Sequence, residues 1–201
     1  AFPSVLGSNK NLTKLDVSNN QLLPDGIKVV CNALRTCTAM KDLNLSYNSP
    51  GREAALSGML LVHPTLRSVG IVEKEPQTRS ERTYWLDTRA KEAIGRALLA
   101  APGTVQFLQC DVFALTETTR TLNWISSAAC DAIVLAGVLR SNSVLTTLNV
   151  AQGEIGDYER EEIGTALLAN TNGRVGFCDA YGLKEGTGAV FSVDLKNKDQ
   201  I

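Results

Sequence analysis

Residues 12–22 read LTKLDVSNNQL, and residues 145–155 read LTTLNVAQGEI. Both place apolar residues at offsets 0, 3, 5 and 10. Working outward from this pair, Met40, Leu43 and Leu45 with Asn48 repeat the pattern, as do Leu66, Val69 and Ile71. Val105, Leu108, Cys110 and Leu115 repeat it again. Leu122 with Trp124, and Val190, Val193 and Leu195, fit its inner part, while Gly173, Gly176, Cys178 and Leu183 fit less well. Unit starts therefore fall near residues 12, 40, 66, 105, 119, 145, 173 and 190.

Offsets 3 and 5 alternate with period 2, the mark of a short strand with one buried face. The second half of most units switches to helical spacing. Ile27, Val30, Ala33 and Leu34 lie on one stripe, as do Ile94, Ala97 and Leu98, then Ile133, Ala136 and Leu139, then Ile163, Ala166 and Leu167. A single strand–helix unit cannot bury its apolar side, whereas stacked neighbours can, so the array is a solenoid. Helices are wider than strands, which makes the strand side concave. The spacing predicts an α/β solenoid, a right-handed strand–helix arc of seven to eight repeats, forming a single domain over 1–201.

The motif LxxLxVxxNxL followed by GIxxVxxAL resembles the ribonuclease-inhibitor type of leucine-rich repeat. That class includes the sensor ends of NOD-like receptors and the Ran GTPase-activating proteins. The resemblance spans nearly the whole chain. It implies the horseshoe fold and leaves the partner open.

A larger period lies above the repeat. The stretch from Ala97 to Trp124 echoes that from Ala166 to Leu195, bringing Cys110 onto Cys178 and Leu115 onto Leu183. Within each copy one strand follows another too soon for a helix to intervene, so a short irregular connector is expected there. Residues 2–9 read as the tail of a preceding helix. Neither end carries a polar cap, and the chain starts without Met or a signal-peptide pattern. The expectation is an excised or processed piece of a longer array, or part of a larger complex.

Composition narrows the function classes. Twenty Lys+Arg against 21 Asp+Glu leave a net charge of −1, which argues against the uniform positive field of a nucleic-acid binder. No apolar run is long enough for a membrane span. The five cysteines, Cys31, Cys37, Cys110, Cys130 and Cys178, form no CxxC pair, and buried free thiols in a reducing, intracellular compartment are expected. Cys110 and Cys178 fall in the inward offset-5 column and should be buried and inert. The single histidine, His63, shares with Asn9, Cys37, Asn142 and Asn170 the slot where a helix ends, and reads as structural rather than catalytic. Gly182, Gly186 and Gly188 lack the GxxxxGK[ST] signature of a phosphate loop and read as a turn. Asn11-Leu12-Thr13 and Asn44-Leu45-Ser46 match the glycosylation sequon, but the repeat consensus generates such triplets by itself. No catalytic residue, metal site or cofactor is predicted.

The concave surface follows from offsets 2, 4, 6 and 7. Its polar offset-4 column includes Gln109, Asn123 and Asn149, and Phe107, Ile125, Val175 and Phe177 are expected to add exposed apolar area. An aromatic among polar neighbours marks an interface anchor. The third unit carries an insertion at about 73–88, with Tyr84 and Trp85 side by side, expected to loop outward and either cover the core or meet a partner. The functional reading is a non-catalytic module that binds a partner protein through the concave face, the insertion, or both. The alternatives are a regulator of an enzyme, of GTPase-activating or inhibitor type, and a structural subunit of a large assembly.

Overall fold

The computed structural model describes residues 2–49, 55–73, 86–101, 104–124, 128–150, 156–175 and 177–178, with backbone alone for Phe2, Pro3 and Phe177. Strands are β1 (Lys14–Asp16), β2 (Asp42–Asn44), β3 (Ser68–Gly70), β4 (Phe107–Gln109), β5 (Ala114–Leu115), β6 (Thr121–Asn123), β7 (Thr147–Asn149) and β8 (Phe177–Cys178). Helices are α1 (Phe2–Ser8), α2 (Pro24–Leu34), α3 (Ala55–Leu60), α4 (Thr88–Ala100), α5 (Ala129–Leu139) and α6 (Asp157–Ala169). Strand and helix alternate along most of the chain, so the fold is an α/β leucine-rich-repeat solenoid. The eighth unit, near residue 190, lies outside the described residues.

Strands β1 to β4, β6 and β7 begin two residues after their unit starts, because offset 3 must point into the core. Leu15, Leu43, Val69 and Leu108 stand in register across β1 to β4. The helices bury the stripes their spacing dictates: Ile27, Val30 and Leu34 in α2, and Ile94, Ala97 and Leu98 in α4. Pro24 opens α2, where its missing N–H costs nothing, and the Asp87 side chain caps α4 by accepting from the Ala90 N–H at 2.9 Å. In α5 every residue from Cys130 to Leu139 is buried.

Asparagines carry the chain through its turns. Asn48, 4% exposed, donates to the carbonyls of Val17 and Leu45, both at 2.9 Å, and accepts from the Asn20 and Leu22 N–H groups at 3.1 and 3.0 Å. At the helix-end slot, Asn170 donates to the Leu139 and Asn142 carbonyls, both at 2.6 Å. His63 occupies the same slot, 1% exposed, as a structural residue.

The strand array is not continuous, contrary to the simplest extension of the repeat. Strands β1 to β5 form one sheet and β6 to β8 a second. After β4 the connector folds back, and β5 pairs antiparallel with it through Leu108↔Leu115 and Gln109↔Ala114. The Cys110 N–H, which would go to the next parallel strand, donates instead to the Phe113 carbonyl at 2.9 Å. The Gln106 carbonyl, the other ladder group, accepts from the Asn142 side chain at 2.7 Å. The expected helix-free connector is there, but its antiparallel return was not foreseen.

The helix layer crosses this break. A Cβ on Gly95 of α4 would stand 2.7 Å from the backbone of Ile133 and Val134 in α5, and one on Gly137 would stand 2.5 Å from the Leu98 Cβ. Gly95→Ala and Gly137→Ala should therefore each destabilise the protein by ~1–3 kcal/mol, since the helices must separate to admit the methyl group. Gly58→Ala in α3, where the new Cβ meets nothing within 4 Å, should stabilise by ~0.5–1 kcal/mol. Urea denaturation of the three variants checks the contrast; equal effects at Gly58 and Gly137 would refute the tight seam.

Candidate functional site

Strand alternation turns offsets 2 and 4 outward, so β1 to β4 present Lys14, Asp42 and Ser68 beside Asp16, Asn44 and Gln109 on the concave side. With Thr116, Glu117 and Thr118 of the connector they line a groove. The polar floor is held in place. Asn44 donates through Nδ2 to Asp16 Oδ2 at 3.1 Å, and its Oδ1 accepts from the Ser46 N–H at 3.1 Å. Asp16 Oδ1 accepts from the Ser18 hydroxyl at 2.6 Å and the Ser18 N–H at 2.9 Å; these bonds, the hydroxyl foremost, hold its carboxyl below the usual range. Gly70 leaves room for Asn44, whose Oδ1 would lie 2.5 Å from an added Cβ. The same ladder recurs in the second sheet, where Asn149 Nδ2 donates to Asn123 Oδ1 at 2.6 Å.

The connector wall is braced by its threonines. Thr119 Oγ1 lies 2.9 Å from Thr116 Oγ1, accepts from the Thr116 N–H at 3.0 Å and donates to the Ala114 carbonyl at 3.3 Å. Three residues beyond the end of β2, Tyr47 is 49% exposed with φ 58°, the left-handed region. Its N–H donates to the Val72 carbonyl at 2.6 Å. Asn19, the equivalent residue one unit earlier, has φ 54°. Asparagine tolerates that conformation, whereas tyrosine pays ~1–3 kcal/mol for it. The signal in the sequence was a tyrosine at offset 7, where the preceding unit has Asn19.

Of the residues expected on the concave face, Gln109 and Asn123 are exposed and Asn149 is half-buried. Phe107 and Val175 are not exposed, at 4% and 5%. Phe107 lies in the groove beside the connector wall, with the Arg67 guanidinium 5.8 Å from its ring centroid. Val175 is inward because the last strand runs two residues out of the expected register. Cys178 pairs with Leu148, and Phe177 with Thr147, which moves Val175 to offset 0. Cys178 therefore sits at offset 3 rather than 5, though still fully buried. Cys110, expected to be buried, is half-exposed beside the folded-back connector. Tyr84, Trp85, Ile125 and the side chain of Phe177 lie outside the described residues.

The insertion, expected at about 73–88, lies between residues that are held together: Glu73 Oε1 accepts from the Leu86 N–H at 2.6 Å. Residues 74–85 are outside the described residues, and Thr88 already belongs to α4. Close by, Lys91 Nζ bridges Asp111 at 2.9 Å and the buried Asp131 at 3.1 Å. Burial opposes the charge on Lys91, but the two carboxylates outweigh it and hold its pKa above the ordinary value. Burial pushes the Glu73 carboxyl up to about 7; the Leu86 N–H offsets this only in part, and Asp111 adds to the rise. Burial likewise raises Cys31 to about 12 and Cys110 to about 11, so neither thiol is activated. Burial lowers the pKa of His63. Among the described residues no group of His, Cys, Asp and Glu could hold a metal, and no helix is long and apolar enough to cross a membrane.

Residues 8–31 match the leucine-rich repeat family model. No curated protein sequence matches the chain. Among solved structures, the actin-binding site 2 domain of leiomodin-1 is similar with a TM-score of 0.52 at 17% identity, over 84% of this chain and 86% of that one. The tropomodulin C-terminal domain of Caenorhabditis elegans superposes with a TM-score of 0.49 at 12% identity, over 84% and 90%. At these identities the likeness to leiomodin-1 concerns the fold alone.

Two measurements follow from the ionisable groups. Between about 4.5 and 7 the folded chain keeps a proton on Glu73 that the unfolded chain releases, so this group makes stability fall as pH rises through that window. Glu73→Gln, which keeps the acceptor for Leu86, should gain stability over the parent at pH 8 (about one unit above that value) and show little gain at pH 4, as denaturation at both pH values would record. In thiol labelling of the folded protein, Cys110 should react before Cys31, Cys37 and Cys178, the three thiols at 0% exposure, and more slowly than a free cysteine.

Proposed function

We propose that this leucine-rich-repeat chain is a non-catalytic protein-binding module that takes its partner on the concave floor of β1 to β4, against the Thr116–Thr118 wall, with Tyr47 as a rim anchor. The observation that carries this reading is the pre-set polar floor. Asp16 and Asn44 are fixed by hydrogen bonds before any partner arrives, so little side-chain entropy is lost on binding. A strained, half-exposed Tyr47 beside it has the character of an interface hot spot. Gln109, Asn123 and Asn149 extend the contact surface, and Tyr84, Trp85, Ile125 and Phe177 remain proposed contributors. The near-neutral charge favours a protein over a nucleic acid, and five free thiols favour a reducing compartment inside the cell.

Actin, which the leiomodin-1 domain binds by its description, is the first partner to assay. Cosedimentation with actin, and capture of partners from lysate, should both be compared between the parent and the Asp42→Lys and Tyr47→Ala variants. Partner retention should fall by about tenfold or more in each variant while melting stays within a few degrees. Retention equal to the parent in both variants would overturn the assignment to this face.

A further inference from the structure

We propose that His63 makes the joint between the units starting at residues 12 and 40 sensitive to acid: the neutral imidazole holds the joint, and the protonated one releases it. The other occupants of its slot show what the position requires. Each asparagine accepts a bond from the N–H two residues on. Asn9, Asn142 and Asn170 Oδ1 accept from the Asn11, Val144 and Asn172 N–H groups at 2.9, 3.0 and 3.1 Å. The slot also donates back to the preceding unit. Cys37 Sγ donates to the Asn9 carbonyl at 3.2 Å, and Asn170 donates to the Leu139 and Asn142 carbonyls.

His63 meets the first requirement and only approaches the second. Its Nδ1 accepts from the Thr65 N–H at 3.5 Å, which leaves the ring proton on Nε2. Leu34 and Cys37 stand where Leu139 and Asn142 stand for Asn170. Their carbonyls favour a proton on the ring, but Nε2 makes no hydrogen bond. The joint therefore leans on the Nδ1 bond. A second proton fills Nδ1 with an N–H, which then faces the Thr65 N–H and cannot accept from it. It also puts a charge on a side chain that is 1% exposed. An asparagine in the slot has no such second state.

Among the described residues no charged group around the ring compensates. Helix α3 carries none. On the neighbouring segments Lys10, Arg35, Lys41 and Arg67 are exposed, and Asp42 faces the groove. The Cys37 thiol is turned to the Asn9 and Leu12 carbonyls. Burial therefore dominates and holds the pKa of His63 below its ordinary 6.5, against the pull of the Leu34 and Cys37 carbonyls. Once the joint opens, the ring returns to its ordinary value. Above 6.5 both forms are neutral and the joint has its full strength. As pH falls below that, the open form binds a proton that the closed form refuses, so the joint weakens until the closed form titrates as well. Glu73 has the opposite sign, since its raised carboxyl weakens the fold as pH rises.

The consequence reaches the groove. Thr65 Oγ1 donates to the Thr38 and Met40 carbonyls at 2.8 and 2.9 Å, so the turn that His63 anchors ties together the segments that lead into β2 and β3. The Arg67 and Ser68 N–H groups donate to the Lys41 carbonyl at 2.7 and 2.9 Å and close the start of that strand pair. Asp42 and Ser68, paired there, line the groove floor. Protonation of one imidazole therefore loosens the floor between them. The second sheet, held by its own asparagines, keeps its order.

Proton NMR and hydrogen exchange of the full chain across a pH series test this. His63 is the single histidine, so its C2–H gives one signal to follow. That signal should titrate below the midpoint of a histidine peptide. From about pH 7.5 to about pH 5, the range in which histidine changes charge, the protection factors of the Thr65, Arg67 and Ser68 amides should fall several-fold. Those of Thr146 and Thr147, which donate to the Arg120 carbonyl, should stay level. His63→Asn, which installs the residue found at 9, 142 and 170, should abolish the fall. If that variant does not fold, His63→Gln keeps an acceptor and a donor without the titration and serves instead. A midpoint at or above that of the peptide, level protection at Thr65, Arg67 and Ser68, or an equal fall at Thr146 and Thr147 would overturn the proposal. So would the same fall in either folded variant.

Discussion

The packing of α4 against α5 holds the molecule together. In an unbroken repeat array every strand is tied to the next by a ladder of hydrogen bonds. Here that ladder stops at β5, and the second sheet begins at β6. What spans the gap is a helix seam in which Gly95 meets the backbone of Ile133 and Gly137 meets Leu98. The absence of two side chains lets the helices approach closely, so dispersion contacts and burial replace lost sheet bonds. A few polar contacts mark the same boundary. Ser141 Oγ donates to the Val105 carbonyl at 2.5 Å, Asn142 to Gln106, and Arg140 to the Leu99 carbonyl.

The break creates the groove. Had β4 been followed by a regular repeat, the concave floor would have run on without a wall. Because the chain turns back through β5, residues Thr116 to Thr118 stand up beside Phe107 and Gln109 and bound the groove on one side. Trp124, fully buried at offset 5 of the next unit, occupies a column that holds Val17, Leu45, Ile71, Cys110 and Val150 in other units. Its Nε1 has no hydrogen-bond partner among the described residues. An unpartnered buried donor costs about 1–3 kcal/mol, which the burial of a whole indole can outweigh.

Much of the fold was legible because a leucine-rich repeat encodes it locally. The alternation of Leu15, Val17 and their equivalents fixes strand and face, and the stripe of Ile94, Ala97 and Leu98 fixes helix and face. Two features were not local. The antiparallel return at β5 depends on which carbonyl Cys110 finds, and no periodicity reports that. The register of the last strand was misjudged because aligning Cys110 with Cys178 matched two like residues. The structure instead aligns Val105 with Val175 and Phe107 with Phe177, since their neighbours Leu108 and Cys178 share offset 3. That shift of two residues is what moved Val175 from the surface to the core. Phe107 shows a further limit: its offset was read correctly, but its cover depends on the fold-back of the connector and on Arg67 from the preceding unit, neither of which periodicity reports.

Charge gathers at the same boundary. Among the described residues three carboxyls, Glu73, Asp111 and Asp131, lie near the Lys91 ammonium. Lys91 sits within 3.1 Å of both aspartates, so its charge is committed to them. Asp131 is nearly sealed from water, with the Lys91 ammonium 3.1 Å from its Oδ1. Glu73 accepts from the Leu86 N–H, and burial with the repulsion of Asp111 outweighs that bond and the pull of Lys91. Burial pushes the Glu73 carboxyl up to about 7, and this residue also ties together the two ends of the insertion. The Lys91–Asp131 pair joins α4 to α5, so this charge cluster sits at the same α4–α5 seam that carries the fold.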